Sequence, residues 1–207
     1  MCYNTPLKKG EFAMDELYDV EFYKKFRAFV VWFMNAFYTI NAEGLENIPD
    51  DESYILAGNH LNILDSWLLL ALIDENLRFM VDKKLYRYKS WEKFFRMIGT
   101  FPIDPNNLDI GAVKNVLALI KMQEKVVIFP EGKTHKITSS VPFKPGVAKI
   151  SVLANSQIVP FGISGSYKPF SSLNINFGEP INFKQSGLKR NEYDEYLEST
   201  VRKLERR

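Results

Sequence analysis

From Phe22 the apolar residues fall at Phe22, Phe26, Phe29, Val30, Phe33, Phe37 and Ile40, spacings of three and four that predict one face of an α-helix. Lys24, Lys25 and Arg27 stand off that face in its first half, whereas Val31 and Trp32 make the second half apolar almost all round. A helix of this character suits two positions, packed on a protein core or lying in a membrane interface with its rings at the acyl boundary, and the aromatic load favours the interface. It is too short to span. The apolar run Ala28 to Ile40 has 13 residues, a helix of about 20 Å against the ~20 residues that a bilayer requires.

Beyond Asn41 the pattern changes period. Short apolar segments at Ser53–Ala57, Arg78–Val81, Thr100–Ile103, Val126–Phe129, Ile158–Ile163 and Leu173–Phe177 read as strands. Helical stretches near Asp65–Asp74, Ser90–Ile98, Leu108–Met122 and Gly146–Ala154 lie between them, and a charged helix of about Arg190 to Arg206 closes the chain. This alternation predicts an α/β fold, a mixed sheet with helices on its faces. With no repeat or low-complexity linker, the economical division is an N-terminal helical segment, 1–41, followed by one domain, 42–207. The stretch Met1 to Asp19 carries Glu11, Asp15, Glu16 and Asp19 and lacks an apolar run before a small-residue cleavage site, which argues against a signal peptide.

Composition narrows the chemistry. Hydrophobic residues at 46% and charged residues at 25% of 207 are globular values. The single cysteine, Cys2, excludes an internal disulfide, and with only His60 and His135 beside it a zinc site would need help from carboxylates. A net charge of +2 without an arginine-rich run gives no footprint for nucleic acid. The one basic stretch runs from Asp82 to Arg96 with a local net of +4, interleaved with Tyr86, Tyr88, Trp91, Phe94 and Phe95. It fits an anionic lipid surface, an acidic carrier protein, or a merely solvated helix face.

Two segments after predicted strands could do chemistry, since α/β folds gather function there. In Gly58-Asn59-His60-Leu61-Asn62-Ile63-Leu64-Asp65, an aspartate at the next helix start can hold one imidazole nitrogen and leave the other as a general base. Asp65 as a plain helix cap remains open. In Phe129-Pro130-Glu131-Gly132, an acid and a glycine let a carboxylate and backbone N–H groups face one ligand, with Lys133, His135, Lys136 and Lys144 following as cations for a phosphate. Gly132-Lys133-Thr134 is not a Walker A tail, because Val127 stands where its first glycine belongs. Gly162-Ile163-Ser164-Gly165-Ser166 is not a nucleophile elbow, because Ser166 replaces its closing glycine.

Asn59-His60 with Asp65, and Phe129-Pro130-Glu131-Gly132 about seventy positions later, resemble the PlsC-type glycerolipid acyltransferases, the lysophosphatidic acid acyltransferase family. The NHxxxxD block is matched in full. The second block is approximated by Gly99 to Asp104, with Pro105 in place of arginine, and the third departs after Gly132 at Lys133, Thr134 and His135. Ile158-Val159-Pro160-Phe161 is similar to the fourth block, and Lys144-Pro145-Gly146 to the lysine-glycine step before a helix. The resemblance covers Leu45 to Ile163.

It implies acyl transfer from acyl-CoA or acyl–acyl carrier protein, with no cofactor and no metal, to the free hydroxyl of a lysophospholipid, 1-acylglycerol-3-phosphate leading. His60 would be the general base and Asp65 its partner. Asn59, Glu131, Gly132, Lys133 and Lys144 would bind substrate, Glu131 and Gly132 at the acceptor head. Loss of both arginines at Pro105 and Thr134 weakens the case for a phosphate acceptor, since lysine is a point charge where arginine binds bidentately. A peripheral protein on the cytoplasmic face of a membrane is the matching expectation. A lipid- or acyl-carrier-binding protein without turnover, and a thioester hydrolase, are the rival functions.

Overall fold

The fold follows from strands that are apolar at consecutive positions. In a computed structural model, residues 18–50, 52–104, 110–134 and 141–206 are described. The strands are β1 (Tyr38–Glu43), β2 (Tyr54–Gly58), β3 (Leu77–Asp82), β4 (Phe101–Ile103), β5 (Lys125–Ile128), β6 (Gln157–Gly165) and β7 (Ser171–Phe177). The helices are α1 (Val20–Phe37), α2 (Asp65–Leu72), α3 (Lys89–Met97), α4 (Ile110–Lys121), α5 (Val147–Ala154) and α6 (Tyr193–Glu205). One sheet runs in the order β1-β7-β6-β2-β5-β3-β4. Every pairing is parallel except β6 with β7.

Strand β2 lies at the centre, Ile55 opposite Val126 of β5 and Ile158 of β6. Successive side chains point to opposite faces. Tyr54 and Leu56 join Val127, Val159, Phe161 and Ile163 beneath α1 and α2, and Ile55 and Ala57 join Val126, Ile128 and Ile158 beneath α4, α5 and α6. Burial on both faces is why these strands read as unbroken apolar runs rather than alternations.

The six expected strands all form, with ends within two residues of the pattern. The N-terminal segment differs. Asp19 caps α1 by accepting the Phe22 N–H at 2.9 Å, but the helix stops at Phe37 and not at Ile40. Tyr38 to Glu43 instead form β1, because β7 offers them a parallel edge, Ile40 opposite Leu173. The expected division after residue 41 therefore falls inside a strand of the sheet. Helix α1 also packs into the domain, burying Tyr23, Val30 and Met34, while Phe26, Phe29 and Phe33 set their rings against Trp67 of α2. Among the described residues no helix is long and apolar enough to cross a membrane.

Beneath α1 the phenols make the polar connections. Tyr23 donates to the Glu75 carbonyl at 3.0 Å and accepts from the Leu77 N–H at 2.9 Å. Tyr54 donates to the Glu75 carboxylate at 2.8 Å, whose other oxygen meets Lys125 at 2.6 Å. Burial pushes Tyr23 and Tyr54 well above the ordinary tyrosine value, and Tyr18 and Tyr86 to about 12. The neutral phenol is thus the form the fold accepts. A pKa raised in the folded state gives stability that is whole below the unfolded value and lost above it. Denaturant midpoints should stay level as pH rises to about 10, then fall steeply toward pH 12 as the unfolded chain ionises first. A midpoint unchanged across that window would mean that these phenols are not held neutral by the core.

Candidate active site

The site assembles at the carboxyl ends of β2 and β5, neighbouring parallel strands. Gly58 ends β2, and a side chain there would collide with the Phe161 ring, its Cβ only 2.3 Å away. Asn59 follows, fully buried. Its amide donates to the Ile163 carbonyl at 2.8 Å and accepts from the Ile163 N–H at 2.7 Å, continuing the β2–β6 ladder with a side chain. The chain then turns away from the sheet, and His60 emerges over β5.

The imidazole of His60 stacks on Phe129, centroids 4.0 Å apart and planes 17° from parallel. Its Nδ1 lies 2.8 Å from Oδ2 of Asp65, the first residue of α2. Oδ2 also accepts the backbone N–H groups of Leu61 at 2.6 Å and Asn62 at 2.9 Å, and Oδ1 accepts the hydroxyl of Tyr167. Asp65 is fully buried, and a carboxylate so placed persists only when its oxygens are hydrogen-bonded. An ionised carboxylate accepts and never donates, so the neutral imidazole carries its proton on Nδ1 and its lone pair on Nε2. Among the described residues Nε2 has no hydrogen-bond partner. The arrangement suits removal of a proton from an incoming hydroxyl.

Glu131 and Asn59, expected to face substrate, turn inward. Glu131 is 1% exposed. Its Oε2 accepts the His60 backbone N–H at 2.6 Å, and its Oε1 meets Nη1 of Arg202 on α6 at 3.0 Å. The same guanidinium holds Glu205 at 3.1 Å, Glu198 at 3.5 Å and the Val141 carbonyl at 2.6 Å. Glu205 in turn accepts from Asn59 at 3.1 Å. A closed ring therefore runs from Asn59 through Glu205, Arg202 and Glu131 back to the amide of His60. Burial opposes the charge on Arg202, but hydrogen bonding to Glu205 and the nearby Glu131 carboxylate outweigh it and raise its pKa further. Both side chains are thus taken up by contacts within the protein, and the buried Glu131 carboxylate draws its cation, Arg202, from α6.

The remaining expected residues lie on the outside of the same loop. Gly132 takes a φ of +68°, and the Lys144 side chain covers it so closely that a Cβ would stand 2.7 Å from Nζ. Lys133, Thr134 and Lys144 are exposed. Lys83 and Asp104, at the carboxyl ends of β3 and β4, pair at 2.7 Å. Pro105, His135 and Lys136 lie outside the described residues. Among the described residues no three His, Cys, Asp or Glu side chains gather in the manner of a metal site. Tyr167, Arg202 and Glu205 were not legible as site residues: each stands 100 or more positions from His60, and α6 reads as an ordinary charged surface helix.

Residues 39–164 match the family model described as Acyltransferase. The chain is 29% identical over 198 residues to a 1-acyl-sn-glycerol-3-phosphate acyltransferase of Streptococcus pneumoniae, covering 90% of this chain and 72% of that one. It is 29% identical over 121 residues to the protein of the same name from Bacillus subtilis, covering 58% and 60%. It thus spans well under two thirds of some relatives, 38% of a chloroplast enzyme from Arabidopsis thaliana. The fold superposes on the crystal structure of the 1-acyl-sn-glycerophosphate acyltransferase PlsC from Thermotoga maritima with a TM-score of 0.71 at 21% identity, over 95% of this chain and 86% of that one.

The ring predicts a cost for breaking it. Arg202→Met leaves the Glu131 carboxylate buried without its cation and should remove about 3 kcal/mol, lowering Tm by roughly 10 °C. Adding Glu131→Gln should return part of that loss. A Tm within about 2 °C of the parent for Arg202→Met would mean that the ring holds nothing in place.

Proposed function

The chain belongs to the acyltransferase family, of the PlsC type, and from that premise we propose that it moves an acyl group from a thioester to the free hydroxyl of a lysophospholipid. The acceptor we favour is 1-acylglycerol-3-phosphate, the substrate in the names of its relatives, and the donor is acyl-CoA or acyl–acyl carrier protein. The observation that carries this reading is the His60–Asp65 contact at 2.8 Å, with Nε2 turned away from the carboxylate.

In the proposed reaction Nε2 of His60 takes the proton of the acceptor hydroxyl as its oxygen bonds to the thioester carbonyl carbon. The imidazolium so formed is stabilised by the Asp65 carboxylate. The tetrahedral oxyanion collapses, the carbon–sulfur bond breaks, and the imidazolium returns its proton to the departing thiolate. One ester and one thiol leave, and the histidine is again neutral. Base catalysis of this kind contributes on the order of 10²–10⁴ in rate; orientation of the two substrates supplies much of the rest.

Lys133 and Lys144, exposed beside Gly132, are the cations we assign to the acceptor phosphate where Thr134 stands in place of arginine. The lipid substrate also calls for a surface at a membrane, and we assign it to α1 and α3 on its cytoplasmic face. Phe29 and Trp32 of α1 and Trp91 of α3 are 48%, 62% and 55% exposed, with Lys24, Lys25, Lys89 and Lys93 exposed around them. Phe94 sets its ring against both Phe22 and Phe26, so the two helices adjoin. Apolar rings among lysines suit an anionic interface.

The test is thiol release from acyl-CoA and from acyl–acyl carrier protein, with a panel of lysolipids. His60→Ala should lower turnover by roughly 10²–10⁴-fold with an unchanged circular dichroism spectrum. Turnover within about tenfold of the parent would contradict a base at this position. Fatty acid released at the same rate without any acceptor would mark a hydrolase, and absence of thiol release with every donor a binding protein. Lys133→Ala and Lys144→Ala should raise KM for a phosphate-bearing acceptor more than for a neutral one.

A further inference from the structure

We infer that Tyr167 is a positioning residue for acyl transfer, its hydroxyl fixing the Asp65 carboxylate that orients and charges His60. This rests on the catalytic reading above and adds a residue to it from a different part of the chain. Tyr167 lies 102 positions after Asp65, in the short turn between β6 and β7.

The geometry leaves Oδ1 of Asp65 dependent on that hydroxyl. Three N–H donors converge on Oδ2, from His60, Leu61 and Asn62. Oδ1 lies in a fully buried residue, and among the described residues the Tyr167 hydroxyl is its donor. Rotation about Cβ–Cγ of an aspartate is soft. A donor on each oxygen stops it, keeping Oδ2 aligned with Nδ1 of His60.

Tyr167 is itself held. Tyr38, at the junction of α1 and β1, donates to the Tyr167 carbonyl at 3.2 Å and sets its ring edge-on at 6.0 Å. Three residues on, the Phe170 N–H donates to the Phe37 carbonyl at 2.7 Å. The turn that carries the phenol is thus fastened to the end of α1. Burial, and then the Asp65 charge, push the Tyr167 pKa far above the ordinary value, so that it remains a donor throughout the working range. The ionisable groups around this centre are His60, Asp65 and Tyr38, with Glu131 reached through the His60 amide.

The sign of the effect follows. A hydroxyl donating to Oδ1 draws negative charge from the carboxylate and away from the imidazolium. Without it, Asp65 stabilises protonated His60 more strongly, and the imidazole loses its proton only at higher pH. Tyr167 touches no reacting atom, so binding of the acceptor should be indifferent to it.

The experiment compares Tyr167→Phe with the parent by pH profiles of kcat/KM, with thermal melting and His60→Ala alongside. Tyr167→Phe should lower kcat by about 5- to 50-fold with KM held within about twofold, and move the acidic limb up by roughly half a pH unit. An unmoved acidic limb overturns the inference, whether activity is full or falls together with Tm, as does a change confined to KM. His60→Ala distinguishes the two levels. If it is inactive while Tyr167→Phe behaves as the parent, only the role of Tyr167 fails; if it is active, the catalytic reading fails and the role of Tyr167 with it.

Discussion

A carboxylate buried beyond the reach of water must be surrounded by donors, and the architecture of this protein around Asp65 meets that requirement. Four hydrogen bonds reach it, from the imidazole of His60, the backbone of Leu61 and Asn62, and the phenol of Tyr167. Two of these donors come from the loop that leaves β2, so the loop must turn tightly back on the start of α2. The third brings the imidazole into register, and the fourth brings the β6–β7 turn across the top of the sheet. Position and tautomer of His60 are both consequences of keeping one negative charge in a dry place.

A second buried charge organises the other side of the histidine. Glu131 grips the His60 backbone and is balanced by Arg202, which Glu205 and Glu198 flank. The imidazole therefore stands between two carboxylates with different tasks. Asp65 touches the ring, and Glu131 touches only the main chain beneath it. Helix α6, more than 130 positions after Asn59 in sequence, closes this ring through Asn59, so it holds the His60 backbone in place as much as the motif loops do.

Much of this could be read from residue order. Strands buried on both faces announce themselves as consecutive apolar positions, and β2, β5 and β6 were legible for that reason. His60 and Asp65 lie five positions apart, so their contact needed only a local loop. What escaped was non-local. Ile40 continues the helical period of α1, and only the open edge of β7 makes segment 38–43 into β1. Asn59 and Glu131 looked like ligand-facing groups because a motif names residue types and not directions; the partners that turn them inward, Ile163, Arg202 and Glu205, are set by tertiary packing. Tyr167 had no signal at all, since a tyrosine in a polar turn is commonplace.

The tautomer of His60 is the most direct observable of this arrangement. Nitrogen-15 NMR of the ring, with His135 replaced to leave one histidine, should find the neutral form carrying its proton on Nδ1 with a bare Nε2. Asp65→Ala should abolish that preference. A neutral ring protonated on Nε2 in the parent protein would contradict it, because the lone pair would then face Asp65 and no base would face the acceptor.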